Sequence, residues 1–122
     1  VAVASTTNRR GAGVGQVPEN VDLVVTSYAV FRLDESAFAE RAWSGLILDE
    51  AQAAKNHQSA TYQCARRLSA GVKFAITGTP MENNLMELWS LLSIVAPGLF
   101  PHPKAFAEHF RRPDSETPSF PR

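Results

Sequence analysis

The sequence predicts an α/β fold, with a mainly parallel sheet flanked by helices. Three observations predict it. Short apolar runs (Leu23-Val24-Val25, Leu46-Ile47-Leu48, Phe74-Ala75-Ile76) end in acidic or turn residues, as strands do. Stretches with helical spacing stand between and after these runs. The connections between successive runs are too long for hairpins and suit right-handed crossovers.

Taken in chain order, Val1 to Thr6 reads as a first strand, already apolar at its start. The chain therefore reads as a segment of a longer protein. Asn8 to Gly15 is a Gly-rich loop, prolonged by Pro18, Glu19 and Asn20. Val21 to Ser27 is a second strand, whose unbroken Leu23-Val24-Val25 run predicts burial on both faces. A short helix is expected over Glu35 to Ala42, with Phe38 and Trp43 turned inward. Gly45 to Glu50 is a buried strand that closes on two acids.

A polar linker from Gln52 to Ser59 leads into a helix reaching about Ala70, with Tyr62, Ala65 and Leu68 on one stripe. Gly71 is expected to stop it, since glycine often stands just past a helix end. Lys73 to Thr77 is a third buried strand, broken by Gly78-Thr79-Pro80. Leu85, Leu88, Trp89, Leu92 and Val95 recur at three and four and define the clearest helix, which Pro97-Gly98 ends. A last helix near Pro103 to Arg111 sets Phe106 and Phe110 on one face. Residues 113–122, with three prolines and no apolar periodicity, are expected to be a disordered tail beyond a single unit over residues 1–112.

Composition narrows the function classes. With 44% hydrophobic and 20% charged residues among 122, the chain has the mix of one domain that buries a core. Twelve basic residues balance twelve acidic ones, so any contact with DNA must be local. The single cysteine, Cys64, excludes an intramolecular disulfide and a cysteine zinc cluster, and fits a reducing cytoplasmic compartment. No run approaches the length that spans a bilayer, so no membrane partner is expected. Nine arginines against three lysines suggest a bacterial source, where a DNA-binding protein would sit near the nucleoid.

In open α/β sheets ligands bind beyond the carboxyl ends of the strands. Two polar clusters fall there: Asp49-Glu50, and Thr77-Gly78-Thr79-Pro80. An apolar strand running into Asp-Glu suits nucleotide hydrolysis. One carboxylate can hold Mg²⁺ through its water shell, because that ion keeps several waters and takes few protein ligands. The other can polarise the attacking water. The same two acids could equally be solvated strand-end residues that cap the next segment.

The flanking residues narrow that choice. Leu46-Ile47-Leu48-Asp49-Glu50-Ala51-Gln52-Ala53-Ala54-Lys55-Asn56 resembles motif II of the Swi/Snf-type ATPases, double-stranded DNA translocases of the second helicase superfamily. Phe74 to Asn84, with Thr77-Gly78-Thr79-Pro80 inside it, resembles their motif III, and Asp22 to Tyr28 their motif Ib. The three occur in the right order over roughly Leu23 to Phe110.

This resemblance implies a partial RecA-like (P-loop NTPase) lobe, with ATP and Mg²⁺ as ligands of the parent protein. It implies that Asp49 holds Mg²⁺, that Glu50 is the base-like residue, and that Gln52 couples nucleotide state to a second RecA-like lobe in cis. Thr77, Gly78 and Thr79 would relay between the ATP cleft and DNA, and Thr26 and Ser27 would meet the DNA backbone. Each has a plainer reading as well: the threonines as turn hydroxyls, Thr26 and Ser27 as an ordinary strand end.

The family pattern is incomplete here. A P-loop needs a Gly-Lys pair, and none exists: Lys55, Lys73 and Lys104 follow Ala54, Val72 and Pro103. No second lobe with its arginine finger fits in this length. The isolated chain is therefore expected neither to hydrolyse ATP nor to bind it tightly. In RecA-like lobes the motif III strand lies beside the P-loop strand. Lys73 to Thr77 should accordingly be a bare sheet edge, prone to self-association or masked by the tail. Two other readings stand beside the motor: a non-catalytic module that binds DNA or protein, and an unrelated metal-dependent hydrolase using Asp49 and Glu50.

Overall fold

Local chemistry accounts for where each element starts and stops in the computed structural model of the chain, which describes residues 1–6, 17–78 and 85–110. The Gly-rich loop, Thr79 and the tail from Pro113 lie outside the described residues. The elements run β1 (Val3–Ser5), β2 (Leu23–Val25), α1 (Tyr28–Leu33), α2 (Glu35–Ala39), β3 (Trp43–Leu48), α3 (Ala60–Arg67), β4 (Ala70–Ala75), α4 (Leu85–Val95) and α5 (Pro103–Phe110). A 3-10 turn, Ala51–Ala54, follows β3.

Both strand pairs are parallel. β1 pairs with β2, with Val3 opposite Leu23, and β3 pairs with β4, with Ile47 opposite Phe74. The two pairs are separate two-stranded sheets, and β4 has β3 as its one paired neighbour among the described strands. That leaves the outer edge of β4 without a partner strand among the described residues.

Helices cover one face of the β3–β4 pair. Leu48 and the half-buried Leu46 and Ala75 turn toward a core that includes Phe31, Phe38, Tyr62, Trp89, Ile94 and Phe106. The core holds its polar atoms by pairing them. Tyr62 Oη lies 2.7 Å from Ser93 Oγ, and Trp89 Nε1 donates to the Phe100 carbonyl at 2.8 Å. Lys73 packs its stem on this face and donates to the carbonyls of Ala65 and Arg66 at the end of α3, at 2.9 and 3.0 Å. Burial and, after it, the charge of Arg66 hold its ammonium below the usual lysine range.

Several expectations need correction. β2 is not buried on both faces: Leu23 and Val25 are each 46% exposed, because the strand alternates and the described elements cover one side only. The same holds for β3 and β4, where Ile47, Val72 and Phe74 stand out into solvent. α3 ends at Arg67, with Leu68 as its cap in an extended conformation, so Gly71 does not terminate it. Gly71 lies inside β4, where a Cβ would come within 3.0 Å of the Ser44 carbonyl oxygen of β3. Close approach of two backbones, and not a left-handed turn, asks for glycine there.

A helix the sequence reading passed over, α1, follows directly on β2. Ser27 caps it by accepting the Val30 N–H at 3.2 Å. The helix expected over Glu35 to Ala42 closes at Ala39, with Phe38 buried. Trp43 belongs to β3 and donates its indole N–H to the Phe38 carbonyl at 2.7 Å.

Candidate active site

The ends of β3 and β4 are fastened together. Ile76 N donates to the Leu48 carbonyl at 2.8 Å, and Ala51 N to the Ile76 carbonyl at 2.9 Å. This stitching fixes the loop carrying Asp49 and Glu50 against the segment carrying Thr77 and Gly78. Both acids are exposed. Asp49 Oδ1 accepts the N–H of Glu50 at 2.9 Å.

Glu50 has φ 50° and ψ 53°, the one left-handed non-glycine residue among those described. Such a backbone costs about 1–2 kcal/mol for a residue with a Cβ. It turns the chain sharply from β3 into the 3-10 turn. Ala51 and Ala54 of that turn are fully buried and anchor it in the core.

A chain of side-chain hydrogen bonds runs across the site. Gln52 Nε2 donates to Glu50 Oε2, and Thr77 Oγ1 donates to Gln52 Oε1 at 3.0 Å. The structure thus joins Glu50, Gln52 and Thr77, with Asp49 at the head of the same loop. Gly78 follows with open space around the position of a Cβ. No cluster of three or more His, Cys, Asp or Glu side chains that could hold a metal occurs among the described residues. Among the described residues, then, no third carboxylate of the kind the metal-dependent hydrolase reading calls for joins these two. Two hard oxygen donors on an exposed loop fit an ion that keeps most of its water shell.

Thr26 and Ser27 form a second group at the end of β2. Thr26 accepts the hydroxyl of Thr6 and lies 3.5 Å from the Ser27 carbonyl, and Ser27 caps α1. Both hydroxyls are thus used within the fold. The residue that links the two groups was missed as a site residue. Tyr28 Oη donates to the carbonyl oxygen of Asp49 at 2.6 Å. Burial pushes its phenol above the usual tyrosine range, with the charges of Asp49 and then Glu50 adding to the effect. Its place at the first position of a helix was the available signal, through the Ser27 cap before it.

Other polar residues settle into structural roles. Lys55 pairs with Glu87 of α4 at 3.4 Å, and Asn56 Oδ1 accepts the Gln58 N–H at 2.9 Å. Arg67 holds Glu35 at 2.7 Å. His57 packs its ring edge-on to Tyr62 and Trp89.

With this geometry in view, comparison with known proteins is decisive. The SNF2-related domain family matches residues 1–119. The chain belongs to that family. It is 41% identical over 96 residues to Helicase ssl-1 of Caenorhabditis elegans, covering 79% of this chain and 4% of that protein. Against the ISWI chromatin-remodeling complex ATPase ISW2 of Saccharomyces cerevisiae it is 39% identical over 95 residues, covering 78% of this chain and 8% of that protein.

Among solved structures it resembles the Sulfolobus solfataricus SWI2/SNF2 ATPase core in complex with dsDNA. The TM-score is 0.75 at 30% identity, over 88% of this chain and 22% of that one. The chain thus spans a small part of the length of its relatives, and its fold is a partial RecA-like lobe of SNF2 type. No helix among the described residues is long and apolar enough to cross a membrane.

Proposed function

We propose that this chain is the catalytic-acid portion of the first lobe of an ATP-dependent double-stranded DNA translocase, which couples ATP hydrolysis to DNA movement or remodelling. The observation that carries the reading is the continuous bond path from Glu50 through Gln52 to Thr77, stitched to the ends of two parallel strands. Asp49, whose Oδ1 accepts the Glu50 N–H, would hold the hydrated Mg²⁺ of the nucleotide. That ion, when bound, supplies charge compensation on the phosphate oxygens.

Glu50 orients the attacking water and takes up its proton. Gln52 and Thr77 carry the state of Glu50 toward Gly78 and Thr79, and Thr26 and Ser27 lie on the DNA side. A second RecA-like lobe in cis completes the catalytic centre, and a cytoplasmic location at DNA accompanies this reading.

The test is DNA-stimulated ATP turnover by the full-length parent protein. Glu50→Gln keeps the size and removes the carboxylate, so turnover should fall by about 10²–10⁴-fold. Unchanged turnover would reject Glu50 as the acid-base group. The isolated chain, which has no Gly-Lys pair, should show no micromolar affinity for ATP. If the parent bound DNA without hydrolysing ATP, the second reading, a non-catalytic module, would replace the motor.

A further inference from the structure

Glu50 is held in a conformation that its own side chain disfavours, with φ at 50°. A residue stays in such a region only where its surroundings over-determine the backbone. On the downstream side the hold is plain: Ala51 is fully buried, and its N–H donates to the Ile76 carbonyl at 2.9 Å. On the upstream side the hold falls on the peptide unit between Asp49 and Glu50.

Both ends of that peptide are gripped. Its C=O accepts from Tyr28 Oη at 2.6 Å, and its N–H donates to Asp49 Oδ1 at 2.9 Å. Turning the peptide over rotates the ψ of Asp49 and the φ of Glu50 together, which takes Glu50 out of the left-handed region and relieves its strain. The same turn swings the carbonyl away from Tyr28.

The two grips differ in what they resist. Asp49 Oδ1 belongs to a short side chain of the same exposed loop and can follow the peptide as it moves. Tyr28 cannot follow, because its ring packs against the core and its helix is fixed at both ends of the first turn. Ser27 accepts the Val30 N–H at 3.2 Å, and Phe31 is 4% exposed and meets Phe38 edge-on at 5.3 Å. Water can satisfy the Asp49 carbonyl in place of the phenol, but it imposes no fixed direction on it. The direction matters, because from the present backbone the Glu50 carboxylate reaches Gln52 Nε2.

We propose that Tyr28 is a positioning residue for hydrolysis: its hydroxyl holds the Asp49–Glu50 peptide in the strained orientation that aims the Glu50 carboxylate. This rests on the reading of Glu50 as the residue that orients the attacking water. Removing a neutral bond that water partly replaces shifts the balance between the two peptide orientations by about two- to threefold.

Two arms test it, and the first makes no use of ATP. Glu50–Ala51 is the one Glu–Ala pair in the sequence, so labelling the chain with ¹³C-carbonyl glutamate and ¹⁵N-alanine marks a single peptide. Its amide resonance should be single in the wild type and doubled or broadened by exchange in Tyr28→Phe, as the second orientation becomes populated. Tyr28→4-aminophenylalanine, which keeps an N–H donor at the same place, should restore the single resonance. An unchanged resonance in Tyr28→Phe would overturn the proposal.

The second arm is ATP turnover by the full-length protein with DNA present. Tyr28→Phe should lower kcat by about two- to threefold and leave KM for ATP unchanged, because the hydroxyl acts on the group that meets water and not on the bound nucleotide. The 4-aminophenylalanine variant should recover kcat. Ser59→Ala removes the α3 cap and loses stability, yet should keep the wild-type kcat, so an equal fall there would reduce Tyr28 to a merely structural role and overturn the proposal. A wild-type kcat in Tyr28→Phe, with turnover lost in Glu50→Gln, would overturn the proposal and leave the motor standing. If Glu50→Gln kept its turnover the motor would fall instead, and the labelled peptide alone would decide whether Tyr28 holds Glu50.

Discussion

Replacing Tyr28 by phenylalanine removes a single oxygen atom from the only described side-chain bond between the end of β2 and the loop carrying the acids. The bond is short, at 2.6 Å, and its acceptor is the exposed carbonyl of Asp49. A typical intramolecular hydrogen bond contributes about 0.5–1.5 kcal/mol net. Here water can replace the hydroxyl at the exposed carbonyl, so the low end applies, and Tyr28→Phe should cost about 0.5 kcal/mol. For a chain of this size that lowers the melting temperature by about 2 °C.

The pH dependence gives a sharper readout. The folded phenol titrates above its unfolded value near 10, so its contribution to stability is complete below that value and is lost as pH rises through the folded pKa. Thermal melts from neutral pH to pH about 11 should therefore show a fall in wild-type stability at the alkaline end that Tyr28→Phe makes shallower. Spectrophotometric titration of the variant should lose the raised step that belongs to Tyr28. A variant as stable as wild type, with an unchanged alkaline fall, would refute the strut between Tyr28 and Asp49.

Other substitutions test separate claims. Glu50→Gly releases the left-handed strain at φ 50° and should raise stability by about 0.5–1 kcal/mol in denaturant melts, while the parent protein loses ATP turnover. A clear loss of stability would mean that the Glu50 backbone is not strained. Gly71→Ala places a Cβ at 3.0 Å from the Ser44 carbonyl and should cost about 1–2 kcal/mol, read as a lower denaturation midpoint with unchanged slope. Ser59→Ala removes the side chain that accepts the Tyr62 N–H at 3.2 Å and should cost about 1 kcal/mol in the same assay. Thr77→Val breaks the exposed bond to Gln52, so the chain should melt within about 0.5 kcal/mol of wild type while DNA stimulation of the parent's ATP turnover falls more than its basal rate.

Much of the fold was legible because particular residues carry local physics. Leu85 to Val95 alternates at three and four over a length no strand reaches, and α4 forms there. Leu46-Ile47-Leu48 ahead of two acids marked both β3 and the loop beyond it. Of the candidate site, motif spacing singles out Asp49, Glu50, Gln52 and Thr77, and the structure sets these four on one loop and its neighbour.

What was misread turned on context. Gly71 reads locally as a helix stop, and only the partner strand shows that it admits the Ser44 carbonyl. Leu23-Val24-Val25 reads as buried on both faces because an apolar run carries no record of whether the second layer is present. The Ser27 cap could have marked Tyr28 as the start of a helix, but its bond to Asp49 depends on an acceptor 21 residues away, which that local signal does not announce.

The amide of Gln52 gives the site a sense of direction. It offers its nitrogen to Glu50 and its oxygen to Thr77, and this polarity holds as long as the carboxylate is an acceptor. Read from Thr77 to Glu50, each bond is given in the same sense, hydroxyl to amide and then amide to carboxylate. The two neighbouring segments are thereby joined by a path with a head and a tail, whose ends cannot trade places unless the amide turns over.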